Sequence, residues 1–588
     1  MNTLGKIISV CITCILSLLS VFGLSVNLPA DEISPFQRVM PRSTILIVIF
    51  CVLWAGLYFT DKKSKKGHKI RAGFTAVIYT IFYLLGFFFK TRGTFTKIWK
   101  NNDELLNFLL HFSGFLIVSY CFLLGLFLLF EWFSTQKNIQ LKFKNHKLFF
   151  AITFLILLIA WLPWIANLFP GITTIDSNDH ISQVIGTSKL YDHHPVLHTF
   201  WFKFLYIISG STQRALGLYS VIQILFADAV FSYSILYIAT RFKNIWTALA
   251  AALWYAFYPV FPVYGMTMWK DVPFGILILI ITLNLSKITY AEEKEQRNIL
   301  IRNSLYFLVL SLLRHNGFFI FIPTFLFLLV KCKANRKFYF SFSLLTIVFY
   351  ILFQTIGLEM LGVKKGRISE GLSIPLQQIA RVVSKHREQL STEELETIAD
   401  YFSGHDVGDL YKAILSDPVK RNFNEILFRE KPIPFLKLWF DLAKKYPLDY
   451  VESVLHNTYG YWFPEANQRT FFFGLYSGEK YDLHPAPLFR MKIFDSIQDY
   501  LTNMKYYSFP VLACLFSPAI AIWIIIFCFQ YCKLKKSAFW LIYIPLFCLW
   551  LQMFGAPAFC EFRYVFGLFT SLPLIISICL FSETVNEK

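Results

Sequence analysis

Long apolar runs recur along almost the whole chain, and they constrain its fold more than any motif does. A helix that crosses a bilayer needs roughly 17–25 mostly apolar residues. About fourteen such runs lie near 7–26, 43–60, 72–89, 106–130, 148–169, 215–240, 244–263, 272–288, 298–313, 317–331, 338–356, 508–530, 537–553 and 564–582. Two of them, 298–313 and 317–331, are short enough to form a re-entrant pair instead. The first follows Lys6 in the manner of a signal peptide. However, it ends Asn27-Leu28-Pro29-Ala30 without a cleavage pattern, so a retained helix is expected.

The charges left over are few. Charged residues make up 16% of the 588-residue chain, apolar residues 56%, and mean hydropathy is +0.52. A soluble chain carries about a quarter charged residues, so a soluble globular fold and large disordered regions are both excluded. The expected fold class is an all-α polytopic membrane protein with about fourteen transmembrane helices and a mostly helical extracytoplasmic domain. Aromatic residues reach 19%, but Phe, Tyr, Ile, Lys and Asn together are what AT-rich codons supply.

Net charge is +19, from 56 basic and 37 acidic residues. Its distribution follows membrane topology rather than nucleic-acid binding. Short loops rich in Lys and Arg resist translocation and stay cytoplasmic. The segment from Asp61 to Arg71 carries six Lys or Arg. Lys137, Lys142, Lys144 and Lys147, then Arg241 and Lys243, Lys287 to Arg302, Lys331 to Lys337, and Lys533, Lys535 and Lys536 fall in alternate loops. Both termini are then cytoplasmic. Lys90, Arg92, Lys97 and Lys100 go against the pattern. Two long regions become extracytoplasmic, about 170–214 and about 357–507. In the second, Ser391-Thr-Glu-Glu394 reads as a capping box opening a helix to about Phe402, and Asp417-Pro418 as another helix start. None of the eleven cysteines lies in 357–507, and no zinc spacing, inverted repeat or nucleotide-binding glycine loop is present.

Ionisable residues at span ends are costly in a chain this apolar and are the natural functional candidates. Four clusters qualify, and the topology puts all four outside. The first joins Asp176, Asp179 and His180 to Tyr191-Asp192-His193-His194 and His198. Asp176 also suits a plain helix N-cap. The second is Lys270-Asp271, where each charge can simply offset the other. The third is Arg314-His315-Asn316-Gly317, which interrupts an apolar stretch, and the fourth is Glu561-Phe-Arg563-Tyr564. Carboxylates, imidazoles and three cations together suit a reaction in which a hydroxyl is deprotonated and a phosphate departs. Asp228, midway through the sixth run, is either a further site residue or packing within the bundle.

The order of these clusters resembles the GT-C class of membrane glycosyltransferases, closest to the protein mannosyltransferase and aminoarabinose transferase group. The phrases Trp269-Lys-Asp-Val-Pro-Phe, Arg314-His-Asn-Gly, Glu561-Phe-Arg-Tyr, Ser373-Ile-Pro-Leu-Gln-Gln-Ile-Ala-Arg381 and Tyr459-Gly-Tyr-Trp-Phe-Pro464 look like those of an uncharacterised Gram-positive branch. The resemblance covers about 148–582. It implies a bacterial plasma-membrane enzyme that moves a sugar from a polyprenyl-phosphate carrier to a cell-surface glycan on the outer face. The lipid bilayer is its setting, and no nucleic acid is involved. Asp176 would be the base, with Asp271 as a second acidic residue in catalysis. Lys270, Arg314 and Arg563 would hold the donor phosphate. Asp179, His193, His194, His315, Asn316, Glu370, Gln377, Gln378, Arg381 and Glu561 would contact substrate. Many class members have Asp-Glu or Asp-x-Asp where this chain has Asp176-Ser-Asn-Asp179, so the sharing of roles and a divalent cation (Mg or Mn) stay open. The domains expected are 1–147, an N-terminal four-helix module; 148–356, the catalytic core with outer loop 170–214; 357–507, the extracytoplasmic domain; and 508–588, the C-terminal helices. A non-enzymatic transporter or assembly protein for lipid-linked glycans, or a polysaccharide polymerase or ligase, fits the same composition.

Overall fold

The computed structural model describes residues 3–25, 43–99, 102–136, 145–555 and 558–581. Among them secondary structure is entirely helical apart from three isolated bridges. Among the described residues nine helices are long and apolar enough to cross a membrane: Ile7–Leu24, Lys66–Arg92, Asn102–Thr135, His146–Leu168, Thr212–Phe242, Asp271–Ile288, Arg336–Met360, Ala538–Gly555 and Phe562–Phe581. A tenth results if Pro510–Phe516 and Ile520–Leu534, bent by 82°, form one broken span. The chain is therefore a polytopic helical protein by composition and length.

Among the described residues the expected count of fourteen is not reached, for local reasons. The run 244–263 breaks at Tyr258-Pro259 into Ile245–Phe257 and Val260–Gly265. Proline cannot donate the helical hydrogen bond, and the residue before it avoids helical torsions. The run 317–331 is a helix of only 15 residues. The run 298–313 lies in the helix Glu293–Leu313, whose first turns carry Glu293, Lys294, Glu295, Arg297 and Arg302. Ser43–Lys63 is one 21-residue helix.

Asp271–Ile288 is apolar all round and is the most enclosed of the candidate spans. A helix with no polar face belongs inside a bundle. It packs along Phe566–Phe581, and glycines set the spacing. A Cβ on Gly275 would meet Phe566 Cδ1 at 2.5 Å and the Gly567 nitrogen at 3.0 Å. Small residues let backbones approach in this way. Gly275 lies one turn from Asp271 and Gly567 one turn from Arg563, so this crossing brings two of the polar clusters together. By contrast, His146–Leu168 and Arg336–Met360 leave most of their apolar side chains at least partly exposed, as lipid-facing helices do.

One large apolar core runs through the bundle and includes the N-terminal helices: Ala76, Tyr83 and Phe89 share it with Trp462, Phe463 and Trp523. The basic residues that broke the charge pattern are partly neutralised. Arg92 pairs with Glu104 at 3.6 Å and Lys90 lies 4.0 Å from Glu465. Lys100 falls outside the described residues.

Within 357–507 the packing divides. Residues from Leu376 to Tyr450 bury a separate apolar core, whereas Tyr459 to Tyr506 belongs to the bundle. Ser391 caps Thr392–Tyr401 reciprocally with Glu394, and Asp417–Arg421 is a short helix, both as the sequence indicates.

Candidate functional site

The stretch Gly171–Thr174 places the first cluster. Ile172 exchanges backbone hydrogen bonds with Met266 and Met268 at 2.8 and 2.9 Å. On its other side Thr173 pairs with Gly474 and Tyr476. Gly171 sits at φ +149°, and a Cβ there would lie 2.3 Å from Ser220 Oγ. The helix Ile175–Val184 begins at once. Its cap is Thr174, in a reciprocal box with Ser177, whose hydroxyl donates to the Met268 carbonyl at 2.9 Å. Trp269 Nε1 donates to Thr174 Oγ1 at 2.7 Å. Asp176 is therefore not the N-cap. It occupies the first turn with its carboxylate free to point elsewhere.

That carboxylate meets Arg563. Arg563 Nη1 donates to Asp176 Oδ2 at 2.6 Å. Asp176 Oδ1 is 3.9 Å from His194 Nε2, and that nitrogen is 3.5 Å from Asp179 Oδ2. The other ring nitrogen of His194 contacts Lys270 Nζ. Burial alone would raise the pKa of Asp176, but Arg563, then His194 and Lys270, hold it well below the ordinary carboxylate range. Burial pushes Lys270 down to about 8, against the pull of Asp176 and Asp271. Burial and then Lys270 lower His194, and burial lowers His180 much further, so both imidazoles are neutral near pH 7.

The other clusters join from the far side. Arg563 Nε lies 3.4 Å from Glu561, whose other oxygen accepts from Gln468 Nε2 at 2.9 Å. Burial raises the Glu561 pKa despite the attraction of Arg563. The guanidinium of Arg563 sits 5.1 Å from the Trp269 ring and 5.0 Å from the Tyr564 ring. Arg314 stands 4.3 Å from the same Tyr564 ring and pairs with Asp271 at 2.8 Å. His315 Nε2 is 3.2 Å from Asp192 Oδ2.

All four clusters thus meet, although they are spread over almost 400 residues. Their exposure differs. The Asp271 side chain is 1% exposed and paired with Arg314. Asp176, Asp179, Lys270 and Arg563 form the more accessible part, with His194 buried between them and Glu561 behind Arg563. His193 stacks on Tyr191 at the rim, 4.5 Å from the His194 ring. Asn316 precedes the helix Gly317–Lys331 and makes no side-chain cap bond.

Four expected residues do not come here. Glu370 pairs with Lys420 at 2.7 Å, and Gln377 donates to the Lys412 carbonyl at 3.1 Å. Gln378 bridges Tyr450 and Trp439, and Arg381 binds Asp449, Glu452 and Tyr411. Their polar groups hold the domain core together. Asp192, Trp269 and Tyr564, named within the sequence clusters but given no role there, also belong to the site.

A divalent cation does not fit this donor set. Among the described residues no three His, Cys, Asp or Glu side chains are grouped to hold a metal ion. Asp176 is already compensated by Arg563. Asp228 is buried in its helix, accepting from Ser232 at 3.1 Å.

A family profile described as a family of unknown function, DUF6020, matches residues 185–587. The chain belongs to the DUF6020 family. The match takes in Lys270, Arg314, Arg563 and His194, while Asp176 and Asp179 lie just before it. No curated protein and no solved structure matches the chain.

Proposed function

We propose that this DUF6020 protein is a membrane glycosyltransferase acting on a polyprenyl-phosphate-linked sugar at the outer face of a bacterial plasma membrane, with a cell-surface glycan as acceptor. One observation carries the reading: Asp176 sits among Arg563, Lys270 and His194 at a polar cluster built from the ends of apolar helices. A carboxylate beside fixed cations, at a bilayer boundary, suits an acceptor hydroxyl and a lipid phosphate together.

In this reading the donor phosphate binds Lys270 and Arg563, drawing Arg563 away from Asp176. The unmasked carboxylate then takes the proton of the acceptor hydroxyl. The hydroxyl oxygen forms its bond to the anomeric carbon as the bond from that carbon to the phosphate oxygen breaks, with inversion. The electron pair leaves on the phosphate. Arg314 and Asp271 hold Tyr564, and through it Arg563, in place. The GT-C-like arrangement belongs to the same proposal, with the short helices and the bent pair completing about fourteen crossings and both termini inside.

The test is glycan analysis of a deletion strain. The proposal expects one sugar to be missing, restored by the wild-type gene and not by Asp176→Asn. An unchanged glycan profile in the deletion strain refutes it. Sidedness is checked by labelling Thr187→Cys and Ser403→Cys, both exposed positions, from outside intact cells. If neither is reached, the outer-face reading falls. Asp228 is the main feature that favours a transporter, since transporters place ionisable groups along mid-span helices.

A further inference from the structure

The domain core from Leu376 to Tyr450 leaves a second apolar surface uncovered. In the helix Pro432–Lys445, residues Phe435, Leu438 and Leu442 enter that core. On the same helix Ile433, Leu436 and Phe440 form an i, i+3, i+7 stripe that is 75%, 40% and 56% exposed. Lys437 and Lys444 stand one turn beyond Ile433 and Phe440 and are exposed, Lys444 lying 3.3 Å from Asp441. The stripe passes to the next helix, Pro447–Thr458. There Leu448 and Val451 are half exposed, and Leu455, at the same spacing, packs against the core of the bundle. The two helices are tied, because Tyr450 OH donates to the Trp439 carbonyl at 2.7 Å.

Glu452 fixes the height of this surface. Its carboxylate accepts from the backbone N–H groups of Phe95 at 2.8 Å and Thr96 at 3.2 Å. Those residues follow directly on the end of the candidate span Lys66–Arg92. Val451 is its neighbour. Leu448 is four residues away, about 6 Å along a helix rising 1.5 Å per residue. A bilayer headgroup layer is roughly 5–8 Å deep on each side. The side of the bundle is that of the polar cluster, since the chain after Thr458 runs to Gln468, which binds Glu561.

We propose that these two helices are a membrane-surface anchor: Ile433, Leu436, Phe440, Leu448 and Val451 seat in the headgroup layer of an anionic phospholipid leaflet, and Lys437 and Lys444 bind its phosphates. Exposed apolar stripes flanked by lysines lie in bilayer interfaces, with the lysine amines reaching the phosphates. A lipid leaflet rather than a protein partner is favoured because the stripe is continuous with the bundle core at the level where a span ends. The anchor leaves the domain with two attachments to the membrane and fixes it beside the cluster.

The test uses the full chain in lipid nanodiscs, with a fluorescent amino acid encoded singly at 433, 440 or 451. Position 396, exposed on another helix of the domain, is the aqueous control. Brominated phosphatidylglycerol should quench the three stripe positions and leave 396 bright. Lys437→Gln with Lys444→Gln should reduce the quenching at 433 in phosphatidylglycerol discs and change nothing in phosphatidylcholine discs. Stripe positions as unquenched as 396 overturn the anchor, as does a blue-shifted 433 that no brominated lipid quenches, which indicates a protein partner. Quenching independent of lipid charge and of both lysines overturns the phosphate contacts.

Discussion

Asp176→Asn should separate binding from turnover. In the structure Asp176 holds the guanidinium that a donor phosphate would take, at 2.6 Å. A hydrogen bond between charged partners is worth about 1.5–3 kcal/mol net. The Asp176 side chain is a quarter exposed, so solvent screening brings its share to roughly 1–2 kcal/mol. Asn keeps a weak hydrogen bond to Arg563 but not the charge. At 1.4 kcal/mol per tenfold, polyprenyl phosphate should bind the variant roughly 5–30-fold more tightly. Transfer should fall by roughly 10²–10⁴, the contribution of a general base. Polyprenyl phosphate is the right probe, since it is the product left by any sugar of this donor class. Equilibrium binding to the chain in nanodiscs reads the first effect, and surface glycan in the complemented strain reads the second. Binding that is weaker than wild type would mean that the carboxylate orients Arg563 rather than masks it. A wild-type glycan profile would remove Asp176 as base.

Asp271→Ala leaves Arg314 buried and unpaired and should cost about 3–5 kcal/mol of stability. Asp271→Leu with Arg314→Met should recover most of that in thermal unfolding, and a double variant no more stable than the single would count against the pairing. Lys270 is protonated below about pH 8, so polyprenyl-phosphate affinity should fall as pH rises through 8, and Lys270→Arg should abolish that fall. Folding stability moves the other way: neutral Lys270 suits its buried site, so its contribution improves as pH rises from about 8 towards its ordinary value of 10.5. Gly275→Val places side-chain atoms against Phe566 and Gly567; it should weaken polyprenyl-phosphate binding without touching a charged residue. Chelation of divalent cations should leave that binding unchanged, because the carboxylates are compensated by Arg563 and Arg314.

The polar cluster was legible in the sequence because charge is scarce there. In an apolar bundle each ionised side chain needs a partner, and the only partners are other scarce charges at the same ends of helices. Arg314 finding Asp271, and Arg563 finding Asp176, follow from that shortage. The domain from Leu376 to Tyr450 lacks the same constraint. Neighbouring polar groups are plentiful there even for buried side chains, so Gln378 can spend its amide on Tyr450 and Trp439, and Arg381 its guanidinium on Asp449 and Glu452. A polar residue in that setting says nothing about which way it faces. The breaks within the apolar runs were hidden for a related reason. Hydropathy records how apolar a run is, whereas Tyr258-Pro259 and Ser517-Pro518 decide whether it stays one helix.

What composition could not show is the separation of duties within the cluster. Asp271 and Asp176 look alike as acidic residues at helix starts. The difference is made by Gly275 and Gly567, which let two helices close on Asp271 and Arg314 and seal them from solvent. Asp176 stands on a short helix outside that crossing and keeps a quarter of its side chain open. A buried pair resists exchange of partners, because each charge left alone would be stranded. A partly solvated pair can give up one partner to an incoming phosphate. Burial therefore divides the five ionised groups into a fixed pair, Asp271 with Arg314, that sets the geometry, and an exchangeable set, Asp176 with Arg563 and Lys270, where a reaction has room to occur.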